Sequence, residues 1–166
     1  KKAIYNIRSN RNLDALLDIW IDLIYPKNNS LEFYITPNLV QYSDKFKNYN
    51  IFLRTLGSRR EMIDELKHSR VLLYLGHKSD IFTLTAEEAI KLCVPVITYG
   101  IGSLSERVSH GENGFIAKNS SQFAKYTLDL MNDDSILKEL KAKMFKKRTE
   151  ITWSVIADNW IKKFLK

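Results

Sequence analysis

The sequence predicts a doubly wound α/β domain: a Rossmann-like parallel sheet with helices on both faces, followed by a helical C-terminal tail. Three observations predict it. Short segments such as Val71–Leu75 (VLLYL) and Pro95–Tyr99 (PVITY) are apolar throughout, as strands covered on both faces are. Stretches with apolar residues three and four apart lie between such segments. The strand-to-helix links are short and the crossovers long, which a parallel sheet needs. A chain of 166 residues with 45% apolar content suits one domain with a real core.

The elements follow in order. Lys2–Arg8 (KAIYNIR) is a first strand, and Ser9-Asn10-Arg11-Asn12 supplies cap-type residues before a helix. In that helix Leu13, Leu16, Leu17, Trp20, Ile21 and Ile24 form one stripe, and Pro26 with Lys27-Asn28-Asn29-Ser30 ends it. Leu31–Ile35 is a second strand stopped by Pro37, and Asn38–Asn50 is an irregular or short helical connection. Ile51–Leu56 is a third strand. Ser58 and Glu61 make a capping box for a helix over Arg59–His68. Strand Val71–Leu75 leads to a helix over Thr85–Leu92, then strand Pro95–Tyr99. Ser103 with Glu106 gives another capping box, for a short helix ending near His110-Gly111, before the strand Phe115–Ala117. The tail reads as helices over Ser121–Met131 and Ser135–Arg148, broken at Asn132-Asp133-Asp134. A third runs from Trp153 with Ile156, Ala157, Trp160, Ile161 and Phe164 on one face. Trp20, Trp153 and Trp160 are expected in the core.

Composition narrows the function classes. No run approaches the ~18 apolar residues of a membrane span. The single cysteine, Cys93, can form neither an internal disulfide nor a zinc cluster, which fits a reducing, cytoplasmic setting. His68, His77 and His110 lack ligand spacing, so no metal site is expected. The first residue is Lys1, not Met, so the chain is expected to be a piece of something longer. The net charge of +7 is densest over Lys138–Arg148, which reads as a solvated helix face or as a contact with acidic lipid headgroups at the inner face of the membrane. No aromatic stacking motif accompanies it, and nucleic acid is not expected as a partner.

In doubly wound sheets ligands bind at the carboxyl ends of the strands, where chain order reverses. The candidate loops are Ser9–Asn12, Gly57–Arg60, Gly76–Thr85 and Gly100–Ser103. A dinucleotide fingerprint is absent after the first strand, and Gly100-x-Gly102 follows a later one with Ser105 at the third glycine position. There is no P-loop, and the first strand ends in Arg8 and Arg11 rather than the carboxylates of a receiver domain. Two arginines suit phosphate, and the carboxylates Asp80 and Glu88, in a loop and in the first turn of the next helix, suit sugar hydroxyls. The helix start between them adds free N–H groups. A nucleoside diphosphate linked to a sugar supplies both kinds of group. Thr85-x-x-Glu88 is also a capping box, which would tie Glu88 to its own helix.

These residues resemble a known family. DIFTLTAEEAIKLCVPVI, GSLSE and GENGF, within Asp80–Phe115, are similar to the Glu-x7-Glu motif (EGFGLPLLEAMACGxPVI), the Gly-Gly-x-x-Glu turn and the Asn-Gly-Phe of the retaining, GT-B-fold glycosyltransferases of group 1. The opening strand and NLDALLDIW resemble the start of their donor-binding half, and ITWSVIADNW its closing helix. The resemblance implies that residues 1–166 are a single C-terminal donor-binding domain, partnered by an N-terminal acceptor domain. It implies transfer of a glycosyl unit with retention from a UDP-, GDP- or ADP-linked sugar, without a metal or other cofactor. Glu88 would bond the ribose hydroxyls and Asp80 the transferred sugar. The backbone of Phe82, Thr83, Leu84 and Thr85 would face sugar and diphosphate, Arg8 and Arg11 would neutralise the diphosphate, and Leu56, Gly57 and Met62 would pack the base. The sequence departs from the pattern with Asp for Glu at Asp80, Ser103 for the second glycine of the turn, and arginines three apart. A sugar-nucleotide epimerase half and a degenerate interaction domain are the alternatives.

Overall fold

The computed structural model describes residues 1–7, 11–36, 44–55, 57–150 and 153–164. Arg8 and Leu56 lie outside them, as does the side chain of Trp153. Six strands, β1 (Lys2–Tyr5), β2 (Glu32–Ile35), β3 (Ile51–Leu53), β4 (Val71–Leu73), β5 (Val96–Thr98) and β6 (Gly114–Ile116), form one parallel sheet. Their order is β3-β2-β1-β4-β5-β6. The chain therefore builds outward to β3 and then returns to lay β4 beside β1, with Ala3 opposite Val71 and Ile4 opposite Leu72. That pair of strands is the topological switch. Ala3, Ile4, all of β4 and all of β5 are fully buried, which is why these segments carry no polar alternation.

The strands pair over shorter stretches than the apolar runs suggest. At their carboxyl ends the chain leaves the ladder to build loops, although Tyr74 and Tyr99 still donate backbone bonds to Ile97 and Leu75 (3.0 and 3.1 Å). Helix α1 (Leu13–Ile19) continues as a π turn over Trp20–Ile24 and a tight turn over Tyr25–Lys27, so the predicted stripe is carried by three kinds of coil. Trp20 anchors it, stacked on Phe33 at 4.9 Å between ring centres, with its indole N–H donating to the Tyr49 carbonyl at 2.9 Å.

Of three predicted capping boxes, one forms. At α2 (Arg59–Lys67) the Ser58 hydroxyl accepts the Glu61 N–H, and the Glu61 carboxylate accepts the N–H groups of Ser58 and Gly57. Those backbone bonds, Gly57's first, hold the Glu61 carboxyl below its usual range. Helix α3 (Leu84–Lys91) starts one residue earlier than expected, with Thr83 at its N-cap. Thr85 is thus inside the helix, its hydroxyl donates to the Asn6 carbonyl (3.1 Å), and Glu88 falls in the second turn, not the first. Ser103 does precede α4 (Leu104–Arg107) but makes no cap bond; its hydroxyl pairs with that of Thr83 at 3.0 Å. Helix α4 stops at Arg107, before His110-Gly111, because Val108 is extended.

Helix α5 (Ser120–Asn132) packs on the π turn, β4 and β5, and α6 (Asp134–Glu150) packs against both α5 and α3. The break between them is Asp133 alone, whose side chain accepts the Ser135 N–H at 2.7 Å. On α7 (Trp153–Phe164) the expected core face is exposed: Trp160 is 64%, Phe164 59% and Ile161 53% accessible. Periodicity identifies an apolar face, but nothing among the described residues covers this one.

Candidate functional site

A cleft of about 690 Å³ opens at the carboxyl ends of β1 and β4. Its polar wall includes Asn6, Arg11, Thr36, Asp80, Thr83 and Thr85. Met62 of α2 and the apolar side chains Ile81, Phe82 and Leu84 also line it. Leu84 and Thr85, at the start of α3, line this space, and the N–H groups of the first turn precede the first helical bond, from Glu87 to the Thr83 carbonyl (3.2 Å). A developing or permanent negative charge there is favoured by the helix dipole.

The loops that follow β1 and β4 are tied together. Tyr5, on β1, donates its hydroxyl to the Arg11 carbonyl (3.3 Å). Asn12, in a left-handed conformation at φ 59°, does not cap α1; its amide donates to the Gly76 carbonyl at 2.6 Å. The Arg11 guanidinium meets His77 Nδ1 at 2.6 Å and, through Nε, the Asp80 carboxylate at 3.5 Å. Arginine is always a donor, so His77 Nδ1 accepts and the ring carries its proton on Nε2. The Ser79 N–H donates to the same Nδ1 (3.1 Å). Tyr74 reaches out of the buried end of β4 and donates its phenol to the other Asp80 oxygen. Burial, and then the bond to Asp80, push that phenol far above its ordinary pKa, so it acts as a fixed donor.

The loop holding Asp80 is equally constrained through its backbone. Asp80 donates to the His77 carbonyl (3.0 Å) and accepts from the Ser103 N–H (2.9 Å). Gly102 allows this approach: at φ +66°, a Cβ there would lie 2.5 Å from the His77 carbonyl oxygen. Gly102 thus packs one loop on another, whereas Gly100 lies against the Ile116 side chain. Ser103 and Thr83 stand at positions where the motifs quoted above have glycine, and the two departures meet as a buried hydroxyl pair.

Among the expected site residues, Arg11, Asp80, Phe82, Thr83, Leu84, Thr85 and Met62 line one cleft. Glu88 is not part of that lining; it projects toward α2 and pairs with Arg59 at 2.9 Å. Gly57 is exposed just before α2, with its N–H on Glu61. The sequence reading missed Tyr74, His77 and Asn12. Tyr74 was visible as the single hydroxyl in VLLYL, but a lone tyrosine in a strand more often marks packing than chemistry. Phe82 is held at the rim by the Arg107 guanidinium, 3.6 Å above its ring, and Arg107 is fixed in turn by Glu87 (3.1 Å). Among the described residues no three His, Cys, Asp or Glu side chains converge to hold a metal, and no helix is long and apolar enough to cross a membrane.

A parallel sheet that reverses in this way is the fold of the C-terminal domain of GT-B glycosyltransferases. The chain belongs to the glycosyl transferases group 1 family, whose sequence profile matches residues 37–150. No curated protein matches the chain by sequence. Solved structures share the fold. A Staphylococcus aureus TarM mutant in complex with UDP is 21% identical with a TM-score of 0.71, over 99% of this chain and 32% of that one. The pneumococcal O-GlcNAc transferase GtfA, in complex with UDP and GlcNAc, is 18% identical with a TM-score of 0.74, over 97% and 34%. The C-terminal domain of the group 1 protein LpcC from Francisella tularensis is 19% identical with a TM-score of 0.71, over 90% and 84%. The chain thus spans about a third of TarM and of GtfA.

Proposed function

We propose that this domain holds the nucleoside diphosphate of a sugar nucleotide and forms the donor half of an enzyme that transfers the sugar with retention. The observation that carries the reading is the convergence of the Arg11 guanidinium and the α3 N–H groups on one cleft at the β1/β4 switch. Guanidinium bonds phosphate oxygens in a forked geometry, and amides at a helix start add donors that need no reorganisation. As the bond to the sugar breaks, negative charge grows on the diphosphate, and these groups stabilise it without a metal. Met62, on the cleft wall, packs the base, and Glu88 turns from Arg59 to accept ribose hydroxyls. Exchanging an exposed ion pair for such a bond costs little, since a pair like Arg59–Glu88 is worth at most about 1 kcal/mol.

The acceptor half, in this proposal, is a further domain, and these residues alone transfer no sugar. The region from Lys138 to Lys166 holds nine of the 26 basic residues and three of the 19 acids, which supports contact of the Lys138–Arg148 face with an acidic membrane surface. Titration calorimetry with UDP, GDP and ADP tests the core of the reading. Weak binding of one of them is expected, unchanged by a chelator and lost in Arg11→Ala. No heat with any of the three would leave an interaction domain as the better account.

A further inference from the structure

We infer that Asp80 is a positioning residue: held by the Tyr74 phenol, it aims the Arg11 guanidinium at the diphosphate instead of gripping the transferred sugar itself. The inference rests on the nucleotide reading above and goes beyond it by changing what the acid does. Each Asp80 carboxylate oxygen is already engaged by the protein, Oδ2 by Tyr74 and Oδ1 by Arg11 Nε at 3.5 Å. The side chain is 11% exposed, so little of it is offered to a ligand. Its reach is one methylene shorter than glutamate's, and the shorter side chain places the carboxylate where the phenol of a buried strand residue can meet it.

The arrangement has the parts of a clamp. Arg11 is a long side chain that would lose much rotamer freedom on binding. Here Asp80 pairs with Nε at 3.5 Å and His77 accepts one N–H of Nη1, which leaves the other N–H of Nη1 and both of Nη2 for phosphate. Asp80 is fixed by Tyr74 and by two backbone bonds. Tyr74 cannot swing away: its ring is fully buried and sits edge-on to Tyr5 at 6.0 Å. Tyr5 in turn holds the Arg11 carbonyl. Adjacent strands at the switch therefore each send one tyrosine to the same arginine, one to its backbone and one to its carboxylate partner. Preorganising the cation in this way raises affinity by removing ordering costs, without any new ligand contact.

Calorimetry on the chain, with whichever of UDP, GDP and ADP it binds and with the glucose conjugate of the same nucleotide, separates the two roles. Tyr74→Phe and Asp80→Asn are each expected to weaken both ligands by one common factor, about tenfold, the worth of one charge-assisted bond. In an Arg11→Lys background, Tyr74→Phe is expected to add less than about a twofold further loss, because the group it acts through has changed. Asp80→Glu, which cannot fit the same bond to the phenol, is expected to weaken both ligands too. Loss of the sugar conjugate alone in Asp80→Asn, or its restoration in Asp80→Glu, would make Asp80 a sugar contact and overturn the inference. So would full additivity with Arg11→Lys, the mark of a merely structural loss. Wild-type binding that neither variant disturbs also overturns it while leaving the nucleotide reading intact, whereas a wild-type chain that binds none of the three nucleotides overturns both. If Tyr74→Phe does not fold, as judged by circular dichroism, the two Asp80 variants carry the decision.

Discussion

Replacing Gly102 with alanine tests whether close backbone approach holds the cleft loop in place. A Cβ at Gly102 would stand 2.5 Å from the His77 carbonyl oxygen and 3.0 Å from that of Asp80. Gly111 is a built-in control, because it has a similar φ (+77° against +66°) and no atom within 4 Å of where its methyl would stand. Both substitutions place an L side chain in the left-handed region, at a cost of about 1–2 kcal/mol. Only Gly102→Ala adds the displacement of two backbone carbonyls, which overpacking data put at about 1–3 kcal/mol more. For a chain of this size 1 kcal/mol moves Tm by about 2–4 °C, so Gly111→Ala should lose about 4 °C and Gly102→Ala about 10 °C. Far-UV circular dichroism on heating reads the difference. Calorimetry with the bound nucleotide should show Gly111→Ala unchanged and Gly102→Ala weakened about tenfold, since the loop that carries Asp80 must move. If the two variants melt within about 2 °C of one another, the close approach does not constrain the loop and the reasoning fails.

Further outcomes follow from single contacts. Thr83→Val and Ser103→Ala each strand a buried hydroxyl and should each cost about 1–2 kcal/mol, yet the double variant should cost about 1 kcal/mol less than their sum in urea unfolding. Strict additivity would mean the two hydroxyls do not bond. The carboxyls of Glu61, Asp133 and Asp134 are held below their usual range, by the Gly57 N–H, the Ser135 hydroxyl and the Arg70 guanidinium respectively. A depressed carboxylate contributes stability that is present above its unfolded pKa and lost as pH falls through the folded one. Tm should therefore stay level above about pH 5 and drop as pH falls below about 4. Trp20→Phe removes the indole bond to the Tyr49 carbonyl and leaves a gap beside Phe33, and should cost about 2–3 kcal/mol in the same unfolding assay.

The fold could be read from the sequence because its signal is local. Continuous apolar runs mark β4 and β5, and the Leu13–Ile24 stripe marks the first helix whatever kind of coil carries it. Capping boxes were a weaker guide for a physical reason. Ser58-x-x-Glu61 lies on an exposed helix start where nothing competes for the two side chains. Thr85 lies on the cleft wall and Ser103 is buried behind it, where the Asn6 carbonyl and the Thr83 hydroxyl outcompete the local cap. The tail fails in the opposite way: the stripe on α7 is a true apolar face, and its exposure depends on what else is present, which no local pattern encodes.

The site divides along the same line. That Arg11 and Asp80 would share a cleft followed from strand order, because both loops leave the carboxyl ends of strands at one switch. Their mutual bond did not follow, nor did the Tyr74 and His77 contacts that complete it, since none of these pairs is close in sequence except Tyr74 with Asp80. The pairing changes the chemistry. Counted singly, the cation and the acid are two independent ligand groups, one for phosphate and one for a hydroxyl. Joined, on the inference above, they act as one group: the carboxylate lowers the net charge of the pair yet holds the guanidinium fork in place. In the proposed site a phosphate would meet these donors in a partly dry cleft, where each bond is stronger than it would be in water. On that inference, affinity at this switch depends less on how many charged residues the loops contain than on whether Tyr74, from the sheet, keeps the acid beside the arginine.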